Sequence, residues 1–235
     1  MPDGGGQAIG PFYDRNPNTL TFAPNNVNIP AANYGNQIKH WNGVDVSINA
    51  RFPGKLTIQG GTSTGRSSTD NCEILAQVPE ANPLGIPYCH QDQNFLTQVK
   101  LLGTYTLPKV DVLFSSTFQS VPGPSIAANR VFLNALVQPS LGRPLSGGAA
   151  NVTVNLVPPG TLFGDRLNQL DLRFAKLLKA GRTRSMVSLD LYNALNSSAV
   201  LSENSTYTNA TATGWRVPTS IVTARFAKIS VQFDF

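Results

Sequence analysis

The chain has 235 residues, enough for one large β domain, and is 41% hydrophobic but only 13% charged. That charged share is about half the usual one, with Asn, Ser, Thr, Gln and Gly in its place, so an ordinary water-facing globule is a poor fit. The net charge of +5 is no nucleic-acid footprint: Arg51, Lys55, Arg66, Lys100, Lys109 and Arg173 are scattered, and the one local cluster, Lys176 to Arg184, reads as a turn.

Residues 1–37 are rich in Gly, Pro and Asn and read as loop, with Thr19 to Phe22 too short for a strand. The first strand is expected over 41–52. Val44, Val46, Ile48, Ala50 and Phe52 face one way there, and Asp45, Ser47, Asn49 and Arg51 the other. Pro53-Gly54 marks a tight turn. The second strand is expected over 55–66, followed by a cysteine-bearing loop over 67–93. The third strand covers 94–107, with Phe95, Val99, Leu101 and Tyr105 opposite Gln98, Lys100, Thr104 and Thr106. The fourth covers 110–120, with Val110, Val112, Phe114 and Phe118 opposite Asp111, Ser115, Thr117 and Gln119.

A long loop-like segment, 121–164, has room for short strands at 129–134 and 151–157. The fifth strand is expected over 167–178 and the sixth over 185–196, joined by the basic turn Lys179 to Arg184. A loop over 197–220 leads to the terminal strand, 223–235. There Ile229, Val231, Phe233 and Phe235 alternate with Lys228, Ser230, Gln232 and Asp234. Soluble domains rarely end on an exposed Phe-x-Phe; a transmembrane β-barrel strand commonly does.

The pattern is an all-β antiparallel meander of about seven long strands, part of a transmembrane β-barrel. Connections alternate short and long, the arrangement of a barrel with tight periplasmic turns and long external loops at 67–93, 121–164 and 197–220. Strands of about ten to fourteen residues match the length a tilted strand needs to cross a bilayer. If Phe235 lies on the periplasmic side, the first strand starts outside the cell. Such a sheet cannot close by itself, and open edges in lipid cost several kcal/mol per unpaired group, so the chain is expected to be the carboxyl-terminal piece of a larger barrel. Met1-Pro-Asp-Gly-Gly-Gly is no signal peptide, which adds to the expectation of a missing amino-terminal part. No run of eighteen apolar residues is present for a transmembrane helix.

Cys72 and Cys89 flank a segment holding Pro79, Pro83, Gly85 and Pro87, with no CxxC and no histidine spacing for zinc. A disulfide here would add about 3 kcal/mol in the chain-entropy model and place the loop in an oxidising space. Two buried free thiols are the other reading. His40 and His90 lack an evident second ligand, so no metal and no cofactor is expected. No paired carboxylates at catalytic spacing, GxSxG, Walker A or HExxH occur, so no enzyme activity is expected. Asp45, Arg51, Lys100, Asp111, Asp171, Arg173 and Asp190 are candidate lumen charges, either a network inside the barrel or contacts for a solute. Trp41, Phe52, Tyr105, Tyr192, Phe233 and Phe235 sit near strand ends, either as interfacial girdles or as core. Gly60-Gly61 reads as a bend in the second strand.

The run GDRLNQLDLRFAK from Gly164 to Lys176, the basic turn, the run SLDLYNALN from Ser188 to Asn196 and the terminal Phe together resemble the carboxyl-terminal strands of TonB-dependent outer-membrane receptors. The nearest likeness is to the group with a carboxypeptidase-regulatory-like domain ahead of the plug. The resemblance covers 164–235 well and 38–120 in outline. It implies a barrel of about 22 strands around a plug, in the bacterial outer membrane, importing a scarce solute. It also implies contact with outer-membrane lipid, recognition of the terminal strand (Ile229, Val231, Phe233, Phe235) by the barrel-assembly machinery, and coupling to TonB only through an amino-terminal part this sequence does not contain. The solute is not legible. Two further readings stand beside this one: an eight-stranded outer-membrane barrel using 19–29 as an extra strand, and a secreted soluble β-sandwich binding module.

Overall fold

A computed structural model describes residues 8–23, 27–180, 183–208 and 214–234. Residues 8–37 carry two short 3-10 turns and no strand among those described. The strands that follow are β1 (Ile38–Phe52) and β2 (Leu56–Asp70). Helix α1 (Cys72–Gln77) and strand β3 (His90–Asp92) lie in the cysteine loop, ahead of β4 (Leu96–Leu107) and β5 (Val112–Val121). The long segment after β5 holds β6 (Asn129–Leu133), α2 (Asn134–Leu141) and β7 (Asn151–Asn155). Then come β8 (Leu167–Ala180), β9 (Thr183–Tyr192), the short pair β10 (Val200–Glu203) and β11 (Pro218–Ile221), and β12 (Phe226–Asp234).

The main sheet is antiparallel, in the order β1-β2-β4-β5-β8-β9-β12, with β3 added against the end of β2. It does not close: β1 and β12 are its two edges. Seven of its strands form the expected meander. The helix α2 was not legible beforehand. It ends on Gly142 at φ 75°, whose N–H bonds back to the Gln138 carbonyl, a left-handed cap that glycine adopts without strain.

Several local expectations change: β2 runs on to Asp70 and β3 pairs with its end, both inside the expected 67–93 loop, and β9 ends at Tyr192 rather than Asn196. The basic turn is much shorter than 179–184, because Lys179 pairs with Arg184 and Ala180 with Thr183, carrying the ladder to the hairpin tip. Asp111 is not a strand residue. It sits in the β4–β5 turn at φ 48°, and its carbonyl accepts from Leu177 N–H at 3.2 Å. At Gly60-Gly61, read from sequence as a bend, both ladders run through without a register shift; Gly60 has φ 143°, a conformation side chains disfavour, and a Cβ there would lie 2.1 Å from the Lys100 carbonyl oxygen.

Register places every strand's alternation on common faces. Val44, Val46, Ile48 and Phe52 of β1 share a face with Leu56 and Ile58 of β2 and Val99, Leu101 and Tyr105 of β4. The same face continues through Phe114 and Phe118, then Leu170, Leu172 and Phe174, then Leu189 and Leu191, to Ile229, Val231 and Phe233. Many of these side chains are exposed, Ile229 at 76% and Val44 at 66%. The opposite face is polar, yet it holds Ser188 at 2% and Asp190 at 5% exposure. Most of the buried apolar residues, among them Leu75, Ile126, Leu145, Val154, Val157 and Val222, lie in the long connections; Ala175, in β8, is the exception among the described residues. The core therefore sits in a cap at one end of the sheet, while the sheet's own apolar face is uncovered.

The cap is knit by specific bonds. The carbonyl of Tyr34 accepts from Gln77 Nε2 at 2.6 Å, and Glu73 accepts from Asn36 N–H. Asp14 pairs with Arg143 at 2.5 Å. Tyr88 Oη donates to the Asn155 carbonyl, and Trp215 Nε1 to the Ala127 carbonyl. Cys72 and Cys89 form a disulfide.

Candidate functional site

The polar face carries a groove of ≈ 440 Å³ whose lining includes Gln59, Lys100, Thr117, Gln119, Gln169 and Asp171. Strand alternation brings them together: Lys100 stands across from Gln119 on β5, and Thr117 across from Asp171 on β8. An amide ladder runs along the groove. Gln119 Nε2 donates to Gln169 Oε1 at 3.0 Å, and Gln169 Nε2 donates to both oxygens of Asp171 at 3.1 and 3.2 Å. Asp171 Oδ1 also accepts the Asn193 N–H at 2.8 Å.

Asn193 anchors one end of this ladder. It is 2% exposed and takes φ 49°, a left-handed value that Asn tolerates better than most residues. Its Nδ2 donates to the carbonyls of Ser197 and Thr223, and its Oδ1 accepts the Ser197 N–H. The residue thus ends β9 and ties the start of the following connection to the approach to β12.

Beside the groove, Arg173 and Asp190 form a cross-strand ion pair at 3.4 Å, and Arg173 Nη2 donates to Ser188 Oγ. Of the seven sequence candidates, Lys100 and Asp171 line the groove and Arg173 and Asp190 pair next to it. Asp45 and Arg51 share the polar face but stand exposed on the edge strand, without an ion pair among the described residues. Asp111 lies off the sheet in its turn. The sequence alternation places Gln119 on this face without singling it out, while Gln169 and Asn193 escaped a reading that searched for charges.

Two of the expected girdle aromatics belong elsewhere. Tyr192 faces the polar side and stacks on Phe226 at 4.7 Å. Trp41 also faces the polar side, its ring lying over Gly43 and Gly65. Phe52, Tyr105 and Phe233 remain on the apolar face, together with the Phe114–Phe174 pair at 5.0 Å. Ile229, Val231 and Phe233 of the terminal strand are exposed on that face, and Phe235 lies outside the described residues.

At the capped end, His90 Nδ1 lies 3.0 Å from Asp70 Oδ2 and Nε2 lies 3.2 Å from Asp92 Oδ2. Hydrogen bonds to these carboxylates, Asp70 first, hold the imidazole's pKa above its usual value. Among the described residues no group of three or more His, Cys, Asp or Glu side chains is arranged to hold a metal ion. None of the helices described is long and apolar enough to cross a membrane, which says nothing of crossing by strands. No family model, no curated protein and no solved structure matches this chain.

Proposed function

We propose that this chain forms carboxyl-terminal strands of a TonB-dependent type of outer-membrane barrel that takes up a scarce solute, with the polar groove as part of the solute-facing lumen. The observation that carries the reading is the inverted sheet: its apolar face is exposed along the meander, while its polar face holds buried Ser188 and Asp190. In water that arrangement leaves a large apolar surface without cover. In a bilayer it is the required one, since lipid faces the apolar side chains and the lumen is polar.

Strand direction supports a larger barrel. In a seven-strand antiparallel meander β1 and β12 run the same way, so joining them directly would need a parallel pair. An antiparallel closure takes an odd number of further strands. A parent barrel of about 22 strands has such a remainder. The short turns would face the periplasm and the knitted cap the exterior, where its connections would choose the solute. TonB would act through the amino-terminal part of the parent, and the barrel-assembly machinery through β12.

The test is to refold the chain with and without detergent micelles and follow strand amide exchange. The expected result is an aggregation-prone chain in buffer and protected strands in micelles. A monodisperse chain in detergent-free buffer, with protected β1–β12 amides, would overturn the reading in favour of a soluble module.

A further inference from the structure

We infer that the polar groove binds a short zwitterionic peptide, with its carboxylate on Lys100 and its amino terminus on Asp171; this rests on the lumen reading above and names the class of solute. The two charged residues in the groove's lining are of opposite sign, and each has capacity to spare. Lys100 is exposed and has no ion pair among the described residues. Its register partner on β2 is Gly61, so no side chain at that position crowds the ammonium. Asp171 Oδ1 accepts from Gln169 and from the Asn193 N–H. Its Oδ2 accepts from Gln169 at 3.2 Å and, among the described residues, keeps room for a second donor.

The other charged positions of the polar face lie elsewhere. Arg173 is paired with Asp190, and Lys228 stands across from Asp190 on β12. Lys39, Asp45 and Arg51 lie on the edge strand β1. Lys179, Arg184 and Asp234 stand side by side in register at the far end of the β8–β9 hairpin. Lys55 and Lys109 lie in turns, outside the strands. Lys100 on β4 and Asp171 on β8 are separated by β5 and offset by one alternation, which puts their Cα atoms about 12 Å apart at ordinary strand spacing and rise.

Between the two charges the wall suits peptide groups. Gln119 Nε2 donates to Gln169, which leaves Gln119 Oε1 without a hydrogen bond among the described residues and ready to accept a peptide N–H. Gln59 and Thr117 add further donors and acceptors to the lining. Leu102 puts one apolar side chain on the same face, across from Gln59 on β2 and Thr117 on β5, where a solute side chain can rest. An extended chain covers about 3.3–3.6 Å per residue, so three residues and the reach of the lysine bridge the two charges. A polyanion would meet a single cation beside a carboxylate, and a neutral solute would use neither charge. A dipolar chain forms a charge-assisted hydrogen bond at each end.

The experiment folds the full chain in uncharged micelles, checks strand protection by amide exchange, and titrates trialanine while following the side-chain amide NMR signals of Gln119 and Gln169. Free trialanine is expected to shift both signals saturably. Trialanine amide and N-acetyl-trialanine, each lacking one terminal charge, should each bind about tenfold more weakly. K100Q should lose about tenfold in affinity for free trialanine and should no longer distinguish it from trialanine amide. D171N should likewise cease to distinguish it from N-acetyl-trialanine; the wild-type comparison of blocked peptides stands whether or not that variant folds. Equal binding of free and blocked peptides, or an unchanged preference in K100Q, overturns the assignment. A chain whose strands stay unprotected in micelles sinks the barrel reading and this site together. Protected strands with no saturable shift sink the site alone.

Discussion

Arg173 and Asp190 face each other across β8 and β9 with Nε and Oδ1 3.4 Å apart, the arginine side chain 43% exposed and the aspartate 7%. Asp190 Oδ1 is buried without a hydrogen bond, so the neighbouring guanidinium is its principal compensation. Replacing Arg173 by Gln leaves a carboxylate desolvated and unpaired. The expected cost is about 1–3 kcal/mol, moderated because the arginine is half exposed. D190N alone removes the charge that needs a partner, so R173Q/D190N should recover most of the loss. Denaturant midpoints of the micelle-folded chain would measure this, and a wild-type midpoint for R173Q would refute the account.

Trp41 covers two glycines that register brings side by side on β1 and β2. A Cβ on Gly65 would lie 2.3 Å from Trp41 Cζ2, and one on Gly43 would lie 2.4 Å from Cη2. Gly65→Val must therefore lift the indole off the sheet. The variant is expected to lose about 1–3 kcal/mol, the usual range for overpacking. Trp41 emission should shift to the red against the constant signal of Trp215. An unchanged spectrum would mean the ring does not rest there.

His90 stands between Asp70 and Asp92 and pins β3 to the end of β2. Its pKa is held above the usual 6.5 by hydrogen bonds to Asp70 and Asp92. A raised folded pKa means the contribution is fully present below the unfolded value and is lost as pH rises through the folded one. Asp92 is held below its usual 3.8, first by its bond from Ser68 and then by His90, so its contribution is lost only as pH falls through that lowered value. Amide protection in β3 should then be greatest between those two limits and decline on the alkaline side. H90Q should flatten that decline, and an unaltered alkaline profile in H90Q would remove the histidine from the explanation.

Leu101 stands mid-strand in β4 on the exposed apolar face, paired with Phe118 of β5. A charge there separates water from lipid as the medium outside. Leu101→Arg is expected to cost about 2–4 kcal/mol in bilayers if the residue lies near the membrane midplane. The same substitution in a water-facing sheet would be nearly neutral and would raise solubility. Folding titrations in lipid vesicles make the comparison.

Loss of the Cys72–Cys89 bridge should be felt in the cap. The bridge closes a loop with a sequence separation of 17 and holds α1 near β3. C72S/C89S is expected to lower the stability of that segment by about 3 kcal/mol in the chain-entropy model. Proteolysis should then cut within 73–88, while the main-sheet amides stay protected. Cleavage of the sheet itself would show that the bridge supports more than the cap.

Alternation by itself determined the long strands, their two faces and their order, because side-chain direction in a strand has a period of two and each hairpin keeps neighbours adjacent. Val44 to Phe52 and Ile229 to Phe233 were legible for that reason, as were Lys100, Asp171, Arg173 and Asp190 as residues of one face. Tertiary structure decided which of those charges meet: register puts Arg173 opposite Asp190 and leaves Asp45 and Arg51 on the edge strand without an ion pair among the described residues. It also turned Trp41 and Tyr192 toward the polar side, onto paired glycines and onto Phe226. The cap was the least legible part. Its helices and short strands form around contacts such as Tyr88 with Asn155 and Trp215 with Ala127, whose partners lie 67 and 88 residues apart. Local periodicity carries no trace of pairings at that distance. That no second layer covers the apolar face among the described residues was decided by the tertiary structure, since alternation gives a face but not what lies over it.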